Sequence, residues 1–355
     1  MSDSLQVPAP DLGAAAASAR RRATLTPGSL GQTAAWVEAL AALRRSPGSP
    51  VTPTAPTLVV FAADHGITLR QVTAESPADS ARLAGQLAAS EGTTGRLAAR
   101  AGVRIDVTDV GLTADETPSD VRADRVREGS EPIDIADALT LDEVARAIQI
   151  GRDTADRLIA DGADLFLTGL CGVGVDVSAA ALASHLTGME PIEVSGRGTG
   201  VDDAGWCRRA AAVRDARYRL GTGSGDAATL LRVAGGTDLA ALTGFILQAA
   251  LTGVPTMVDD VPTVVAAVLA HRFAPGAERY TLVPGPRAEI VHGRLLGLLG
   301  IDTLSSLDLG TGLALPSLLL LPLLLAATTA VDTAPDEPGP NRVATAIDDW
   351  DRALF

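Results

Sequence analysis

Residues 191–203 read P-I-E-V-S-G-R-G-T-G-V-D-D, and the predicted fold depends on this stretch more than on any other. Its first four residues are typical of a buried strand, and the segment Ala204–Arg217 that follows is typical of a helix. Three glycines between them, Gly196, Gly198 and Gly200, let the backbone approach a ligand, and the free N–H groups at a helix start suit a phosphate. Many such turns are rich in glycine for packing alone, so the pattern needs support from the rest of the chain.

Predicted strands and helices alternate on both sides of this stretch. Thr57–Ala63 (T-L-V-V-F-A-A) is a short apolar run, the pattern of a strand covered on both faces, and the polar residues Asp64 and His65 follow it. Further strands are predicted at Val103–Val110, Asp164–Gly169, Pro255–Asp259 and Thr281–Val283. Helices are predicted at Ala14–Ala23, Thr33–Arg45, Ser76–Ala101, Thr140–Ala160, Ser178–Leu186, Asp226–Leu231, Gly236–Gly253 and Val261–Ala270. The alternation predicts an α/β fold with a parallel sheet and with ligands at the carboxyl ends of the strands.

The composition bears on the class of partner. Apolar residues make up 46% and aromatic residues 3% of the 355, so the predicted core is aliphatic. The formal net charge of −14 argues against nucleic acid as the main partner. Arginine supplies all 29 basic residues, and it suits a local phosphate or carboxylate site.

Cysteine use and hydropathy bear on location. We expect Cys171 and Cys207 to be free thiols in a reducing compartment. The longest apolar run, Leu313–Ala327, is about fifteen residues, short of the ~20 that a membrane span needs, and predicts a buried helix or a subunit interface. Residues Met1–Ala17 contain two aspartates and no apolar core of signal-peptide length. These features predict a cytoplasmic protein without a membrane segment.

Six short motifs occur in a fixed order along the chain. They are Leu25–Gly31, Phe61–Gly66, Gly198–Asp203, Gly235–Ala240, Ala270–Gly276 and Gly310–Pro316. Together they resemble the nicotinate-nucleotide:dimethylbenzimidazole phosphoribosyltransferase family, over roughly residues 20–328. This family makes the lower-ligand nucleotide of cobalamin, by transferring phosphoribose from nicotinate mononucleotide to a benzimidazole nitrogen.

The resemblance implies a domain organisation and partners. It implies a Rossmann-like α/β domain at 51–285 and a small helical domain formed from both chain ends, at 1–50 and 286–330. Residues 331–355 are left as a linker and tail, with a short amphipathic helix predicted at Val343–Phe355. It also implies a homodimer that binds nicotinate mononucleotide or a related nucleotide, and it implies no cofactor.

The phosphate site of the family is partly retained in this chain. Arg209 stands where the family usually has lysine, and Arg287 lies in a segment that usually supplies a serine. A guanidinium could bind a phosphate through two hydrogen bonds. The phosphate- and nucleotide-binding residues that the resemblance implies are Gly172, Gly174, Gly198, Thr199, Gly200, Arg209, Arg287 and Gly310.

The catalytic carboxylates of the family are replaced. Leu309 stands at the position of the catalytic glutamate, and Leu170 stands at a second acidic position. Asp308 and Asp176 lie one or a few residues away and could serve as the base instead. A base that is misplaced by about 1 Å can cost on the order of 100-fold in rate.

The pocket for the acceptor base is also altered. Glu75 and Arg82 replace a tyrosine and a glutamine of the family, and they could pair with each other or receive a more polar acceptor. The base-pocket residues implied are Asp64, His65, Glu75, Arg82 and Leu309. The other three histidines, His185, His271 and His292, have no spacing that suggests a metal site.

Three functions stay open at this point. The first is phosphoribosyl transfer with a relocated base. The second is a catalytically inactive homologue that binds a nucleotide or regulates an active paralogue. The third is a hydrolase in which water replaces the acceptor base.

Overall fold

A six-stranded, wholly parallel sheet forms the centre of the protein, in the order β3-β2-β1-β4-β5-β6. The computed structural model describes residues 5–26, 28–43, 50–198, 200–223, 225–309 and 312–334. The strands are β1 (Pro56–Ala63), β2 (Arg104–Gly111), β3 (Arg122–Ala123), β4 (Leu165–Cys171), β5 (Thr256–Met257) and β6 (Thr281–Leu282). The predicted α/β fold with a parallel sheet is confirmed.

Helices flank the sheet and connect its strands. They are α1 (Leu12–Arg22), α2 (Thr33–Ala42), α3 (Pro77–Ala88), α4 (Gly92–Arg100), α5 (Leu141–Ala160), α6 (Val175–Thr187), α7 (Pro191–Val194), α8 (Asp203–Leu220), α9 (Ala227–Ala234), α10 (Thr237–Leu251), α11 (Val261–Phe273), α12 (Ile290–Leu299) and α13 (Leu315–Asp332). Most of these match a predicted helix, with ends that differ by a few residues.

The two central strands, β1 and β4, are buried along their whole length. Their apolar runs therefore lie between layers of helices, as the sequence predicts for parallel strands. Phe245 of α10 packs edge-on against Phe166 of β4, with ring centroids 4.8 Å apart, and against Phe61 of β1 at 6.1 Å. These three rings anchor an otherwise aliphatic core.

The chain divides into two compact units. The first contains the described parts of 5–10 and 53–322 and includes the whole sheet, and the second contains those of 11–52 and 323–334. Within the second unit, Asp332 accepts hydrogen bonds from the backbone N–H groups of Val51 and Thr52, both at 2.8 Å. The predicted C-terminal part of the small domain, 286–330, is thus divided between the two units.

The predicted strand at the start of residues 191–203 is wrong, because Pro191–Val194 forms the short helix α7. Proline is favoured in the first turn of a helix, where its missing N–H has no partner to lose. The Glu193 carboxylate also accepts a hydrogen bond from the Glu190 N–H at 2.9 Å, which closes a capping box. The glycine-rich turn therefore joins two helices, α7 and α8.

The predicted helix Ser76–Ala101 is two helices, α3 and α4. Ser90, just after α3, takes a left-handed φ of 58° and so ends the first helix, and Gly92, with a φ of 67°, is the first residue of α4. The predicted helix at Val343–Phe355 lies outside the described residues.

The apolar run near the C-terminus forms α13, which is longer than the predicted fifteen-residue run. Its 18 residues would suffice to cross a membrane by length and composition alone. Half of the helix is buried inside the protein, as in a core helix of a globular protein.

Candidate functional site

The carboxyl ends of the parallel strands bring four polar segments to one edge of the sheet. Asp64 and His65 follow β1, and the turn Gly172–Asp176 follows β4. Asp259 lies just beyond β5, and Arg287 lies in the loop after β6. Ligands of open parallel sheets bind at this edge, so it is the candidate site.

Asp64 and His65 are held in internal hydrogen bonds. The His65 ring is fully buried, with Nδ1 3.0 Å from Ser178 Oγ and Nε2 3.1 Å from Asp238 Oδ2. Burial alone would lower the pKa of His65, but the Asp238 carboxylate raises it above the usual value. Asp64 Oδ2 accepts hydrogen bonds from the N–H and hydroxyl of Thr113, both at 2.9 Å. Both side chains are held by neighbouring protein groups at the carboxyl end of β1. Their direct contact with an acceptor base stays a prediction.

Arg209, which is predicted to bind phosphate, and Asp176, which is predicted as a possible base, form an ion pair. Arg209 Nη2 lies 2.5 Å from Asp176 Oδ2, and its Nη1 donates to the Val72 carbonyl at 3.2 Å. The arginine is buried, whereas the carboxylate is half exposed. Asp176 lies in the first turn of α6, where the helix dipole also favours a negative charge.

Gly198 is held against this ion pair. A Cβ atom at Gly198 would lie 2.6 Å from Arg209 Nη1, and the residue has a φ of +63°. Only glycine therefore fits without displacing the guanidinium. The neighbouring Thr199 lies outside the described residues, and Gly200 follows it with a φ of +71°.

A close backbone approach explains Gly172. Its Cβ would lie 1.6 Å from the Ala63 carbonyl oxygen, so the turn after β4 packs directly on the end of β1. Gly174 begins α6 in the left-handed region, at φ 91°. The structure thus brings Gly172, Gly174, Gly198, Asp176 and Arg209 together.

Glu75 and Arg82 do not form the pair that the sequence suggests. Arg82 instead pairs with Asp79, one turn earlier on α3, at 3.1 Å. The pKa of Glu75 is raised, first by partial burial and then by the nearby Asp176 carboxylate. Glu75 therefore lies close to the Arg209–Asp176 pair.

Asp308 and Leu309 differ from the residues of this cluster in their exposure to solvent. Asp308 is exposed and Leu309 is half buried. Gly310, which follows them, lies outside the described residues. A general base must be held in position to act, so the exposed Asp308 is a weak candidate for a base.

Asp259 is a candidate that the sequence reasoning missed. It is 1% exposed, and its Oδ2 accepts hydrogen bonds from Ser317 N at 3.1 Å and Ser317 Oγ at 2.8 Å. Its Oδ1 has no hydrogen-bond partner among the described residues. Burial, and then the adjacent Asp260 carboxylate, raise the pKa of Asp259 to about 7. Its position at the end of the predicted strand Pro255–Asp259 was the available signal.

Arg287 faces the same buried acids. Its side chain is 4% exposed and contacts Glu289 at 3.7 Å, while its Nη1 has no partner among the described residues. Its charge acts to lower the pKa of Asp259 and of Asp260. Burial, and then Arg287, lower the pKa of His292 to about 4. A buried guanidinium with a free N–H can bind an anionic group of a substrate.

This arrangement can move a proton and hold an anion. A carboxyl that ionises near neutral pH is suited to act as a general base. Within the described part of the chain, no cluster of three or more His, Cys, Asp or Glu side chains could hold a metal ion.

Comparison with known families gives one consistent result. The family model DBI_PRT, described as phosphoribosyltransferase, matches residues 5–336. The nicotinate-nucleotide–dimethylbenzimidazole phosphoribosyltransferases of Mycobacterium tuberculosis and Mycobacterium bovis are each 38% identical over 351 residues, which is 96% of both chains. That of Mycobacterium ulcerans is 38% identical over 350 residues, 97% of this chain and 96% of the relative.

Solved structures agree with the sequence comparison. A nicotinate-nucleotide–dimethylbenzimidazole phosphoribosyltransferase from Thermus thermophilus superposes with a TM-score of 0.79 at 28% identity, over 89% of this chain and 95% of the other. A structure of CobT from the same organism gives a TM-score of 0.80 at 31% identity, over 89% and 96%.

Proposed function

Because the chain belongs to this family of nicotinate-nucleotide–dimethylbenzimidazole phosphoribosyltransferases, we propose that it transfers phosphoribose from nicotinate mononucleotide to a benzimidazole-type base, with Asp259 as the proton acceptor. The acceptor nitrogen bonds to the anomeric carbon, and the bond from that carbon to the nicotinate nitrogen breaks. Nicotinate leaves with the electron pair, and the acceptor ring loses its N–H proton to the Asp259 carboxylate.

The surroundings of Asp259 carry this proposal. Its Oδ1 has no hydrogen-bond partner among the described residues and can take a proton, while Ser317 fixes the other oxygen and so orients the carboxylate. Its pKa of about 7 leaves it ionised in part at neutral pH and basic enough to accept a proton. Asp176 is less suited because its carboxylate is neutralised by Arg209.

Arg287 is the residue that we assign to the anionic part of the nucleotide. Its Nη1 is buried and has no partner in the described part of the chain, and such a donor is costly unless a ligand or water satisfies it. Gly198, Gly200 and the start of α6 would contribute backbone N–H groups, as the family resemblance implies.

Asp259→Asn tests the proposed base. Asparagine keeps the shape and can still accept hydrogen bonds from Ser317, but it cannot take the proton. We expect the rate of α-ribazole phosphate formation to fall by about 10²–10⁴-fold. The matched control is Asp308→Asn at an exposed position, which should retain activity within about twofold. Equal losses in both variants, or none in Asp259→Asn, would reject Asp259 as the base.

A second function, binding a nucleotide without turnover, is favoured by one observation. Leu309 and Leu170 stand at the two positions where the resemblance predicts acidic residues, so the carboxylates expected there are replaced. Calorimetric binding of nicotinate mononucleotide, with no product after long incubation at high protein concentration, would support this second function over the first.

We propose also that the protein is a cytoplasmic homodimer. Cys171 and Cys207 are free, which is compatible with a reducing compartment. Light scattering on the purified protein tests the dimer, and a mass of one protomer would reject it.

A further inference from the structure

A large cavity lies outside the site at the carboxyl edge of the sheet. It has a volume of about 1220 Å³ and is formed mainly by α8, by the end of α6 with the segment 188–192, and by the segment that links α8 to α9. Pockets for small organic ligands commonly span about 300–1,000 Å³, so the cavity is large enough for such a ligand.

Two helices that start at the carboxyl edge, α6 and α11, reach the cavity at their far ends, and the site residues Asp176, Arg209, Asp259 and Arg287 do not line it. His185 is in the last turn of α6 and Arg272 is in the last turn of α11. A helix rises by 1.5 Å per residue, so His185 lies about 14 Å along α6 from Asp176 and Arg272 about 18 Å along α11 from Asp260. The cavity is therefore separate from the site of the proposed transfer.

Positive charge predominates around the cavity. Three arginines, Arg214, Arg217 and Arg272, line it together with one carboxylate, Glu190. Arg217 contacts Glu190 at 3.6 Å, but that carboxylate is 71% exposed, so the pair is screened by water. In a chain with a net charge of −14, this is a local reversal of sign.

The pKa of His185 indicates that two of the arginines lie close to its ring. The pKa of His185 is lowered first by burial, then by Arg272 and Arg217. The imidazole is therefore neutral at neutral pH and adds no charge to the cavity. A cleft with one sign of charge and walls of low polarity concentrates ions of the opposite sign.

The rest of the wall is mainly apolar. Leu186, Pro191, Ile192, Ala210 and Ala211 contribute to it. We propose that this cavity is a second ligand site, which binds a small organic anion with an apolar, planar body. The arginines would contact the carboxylate, sulfonate or phosphate group, and the apolar wall would cover the body.

A cysteine in the wall provides a local reporter. Cys207 lines the cavity and is exposed. Cys171, the other cysteine, is buried, and burial raises its pKa to about 12, so it reacts slowly with thiol reagents. The rate at which iodoacetamide modifies Cys207 therefore reports occupancy of the cavity.

The probe is 8-anilinonaphthalene-1-sulfonate, with N-phenyl-1-naphthylamine as its neutral counterpart. We expect saturating sulfonate to slow modification of Cys207 about tenfold or more, and the neutral compound to slow it much less, because the arginines bind the charged group. Equal protection by both compounds, or protection by neither, would overturn the proposal. The proposal would also be overturned if Cys207, without any probe, reacted slowly and its modification became faster on dilution. A second copy of the chain would then cover the cavity.

Two kinds of variant localise the site. Arg214→Gln and Arg217→Gln should each weaken sulfonate binding about tenfold, whereas Arg294→Gln, an exposed arginine of α12 outside the cavity, should leave it unchanged. Ala211→Phe fills the cavity without changing its charge and should abolish protection. Unchanged affinity in the two cavity arginine variants and in Ala211→Phe would place the probe elsewhere and overturn the proposal.

Discussion

Asp259 and Asp176 are both aspartates near the carboxyl edge of the sheet, but their surroundings give them opposite properties. Asp259 is buried beside another acid, which favours its protonated form. Asp176 is half exposed and forms an ion pair with a buried guanidinium. Identity and position in the sequence do not distinguish the two, because the difference comes from side chains that the fold supplies from distant segments.

The raised pKa of Asp259 predicts a pH dependence of stability. The folded pKa is about 7, above the value of about 3.9 in the unfolded chain. Between these values the unfolded state binds fewer protons, so this group lowers the free energy of unfolding as pH rises from about 4 to about 7. Asp259→Asn removes the contribution, and we expect a shallower decline in urea denaturation over this range. An identical pH slope in the wild type and the variant would contradict the assignment, and Asp308→Asn is the control.

The Arg209–Asp176 pair predicts a gain of anion binding. In Asp176→Asn the carboxylate that occupies Arg209 becomes neutral, so an added phosphate no longer competes with a charge. We expect orthophosphate to bind about tenfold more tightly than to the wild type, by calorimetry. Asp203→Asn removes another exposed acid, which pairs with Arg197, and should change the affinity little. Weaker or unchanged phosphate binding in Asp176→Asn would show that Arg209 serves packing alone.

At the scale of elements, end signals decided which sequence predictions succeeded. Thr140 and Glu143 predicted the start of α5, and the capping box is present. The same kind of signal, Glu190 with Pro191 and Glu193, marks the start of α7, where the apolar pattern of four residues instead suggested a strand. Short apolar runs do not distinguish a strand from a helix, so caps and proline are the better guide there.

The cap of α5 gives a prediction about stability. The Glu143 N–H donates to Thr140 Oγ1 at 3.2 Å, and Glu143 Oε2 accepts from the Thr140 N–H at 2.7 Å. Thr140→Ala removes the first of these hydrogen bonds, and we expect a loss of about 1 kcal/mol in the free energy of unfolding. Thr93→Ala, at an exposed position in α4, is the matched control. A loss no larger than that of the control in thermal or urea unfolding would mean that the cap contributes nothing.

At the scale of the whole molecule, the fold was more predictable than the site. The buried strands β1 and β4 can be predicted from the sequence, because a parallel strand covered on both faces is a continuous apolar run. The site was only partly legible. Motifs located Arg209, Asp176 and Gly198 separately, but their contact depends on the packing of α8 against α6 and the glycine turn.

The sequence did not identify Asp259 as a candidate base, for a related reason. Its position at the end of a predicted strand was visible, but burial and Asp260 raise its pKa, while Ser317 and Arg287 lower it. Two of these lie in segments that follow far along the chain. Only the folded molecule brings them to one place. The family resemblance, which rests on the sequence alone, therefore predicted Asp308 and Asp176 as candidate bases instead.

We propose that this molecule transfers phosphoribose with Asp259 as the base, where the sequence predicts that Leu309 replaces the catalytic glutamate of the family. The most direct measurement is mass spectrometry of the purified protein with nicotinate mononucleotide, with and without dimethylbenzimidazole, beside an active family member. We predict that α-ribazole phosphate and nicotinate form together, and only when dimethylbenzimidazole is present. Nicotinate released without the acceptor would indicate a hydrolase, and no product at high protein concentration would contradict catalysis altogether.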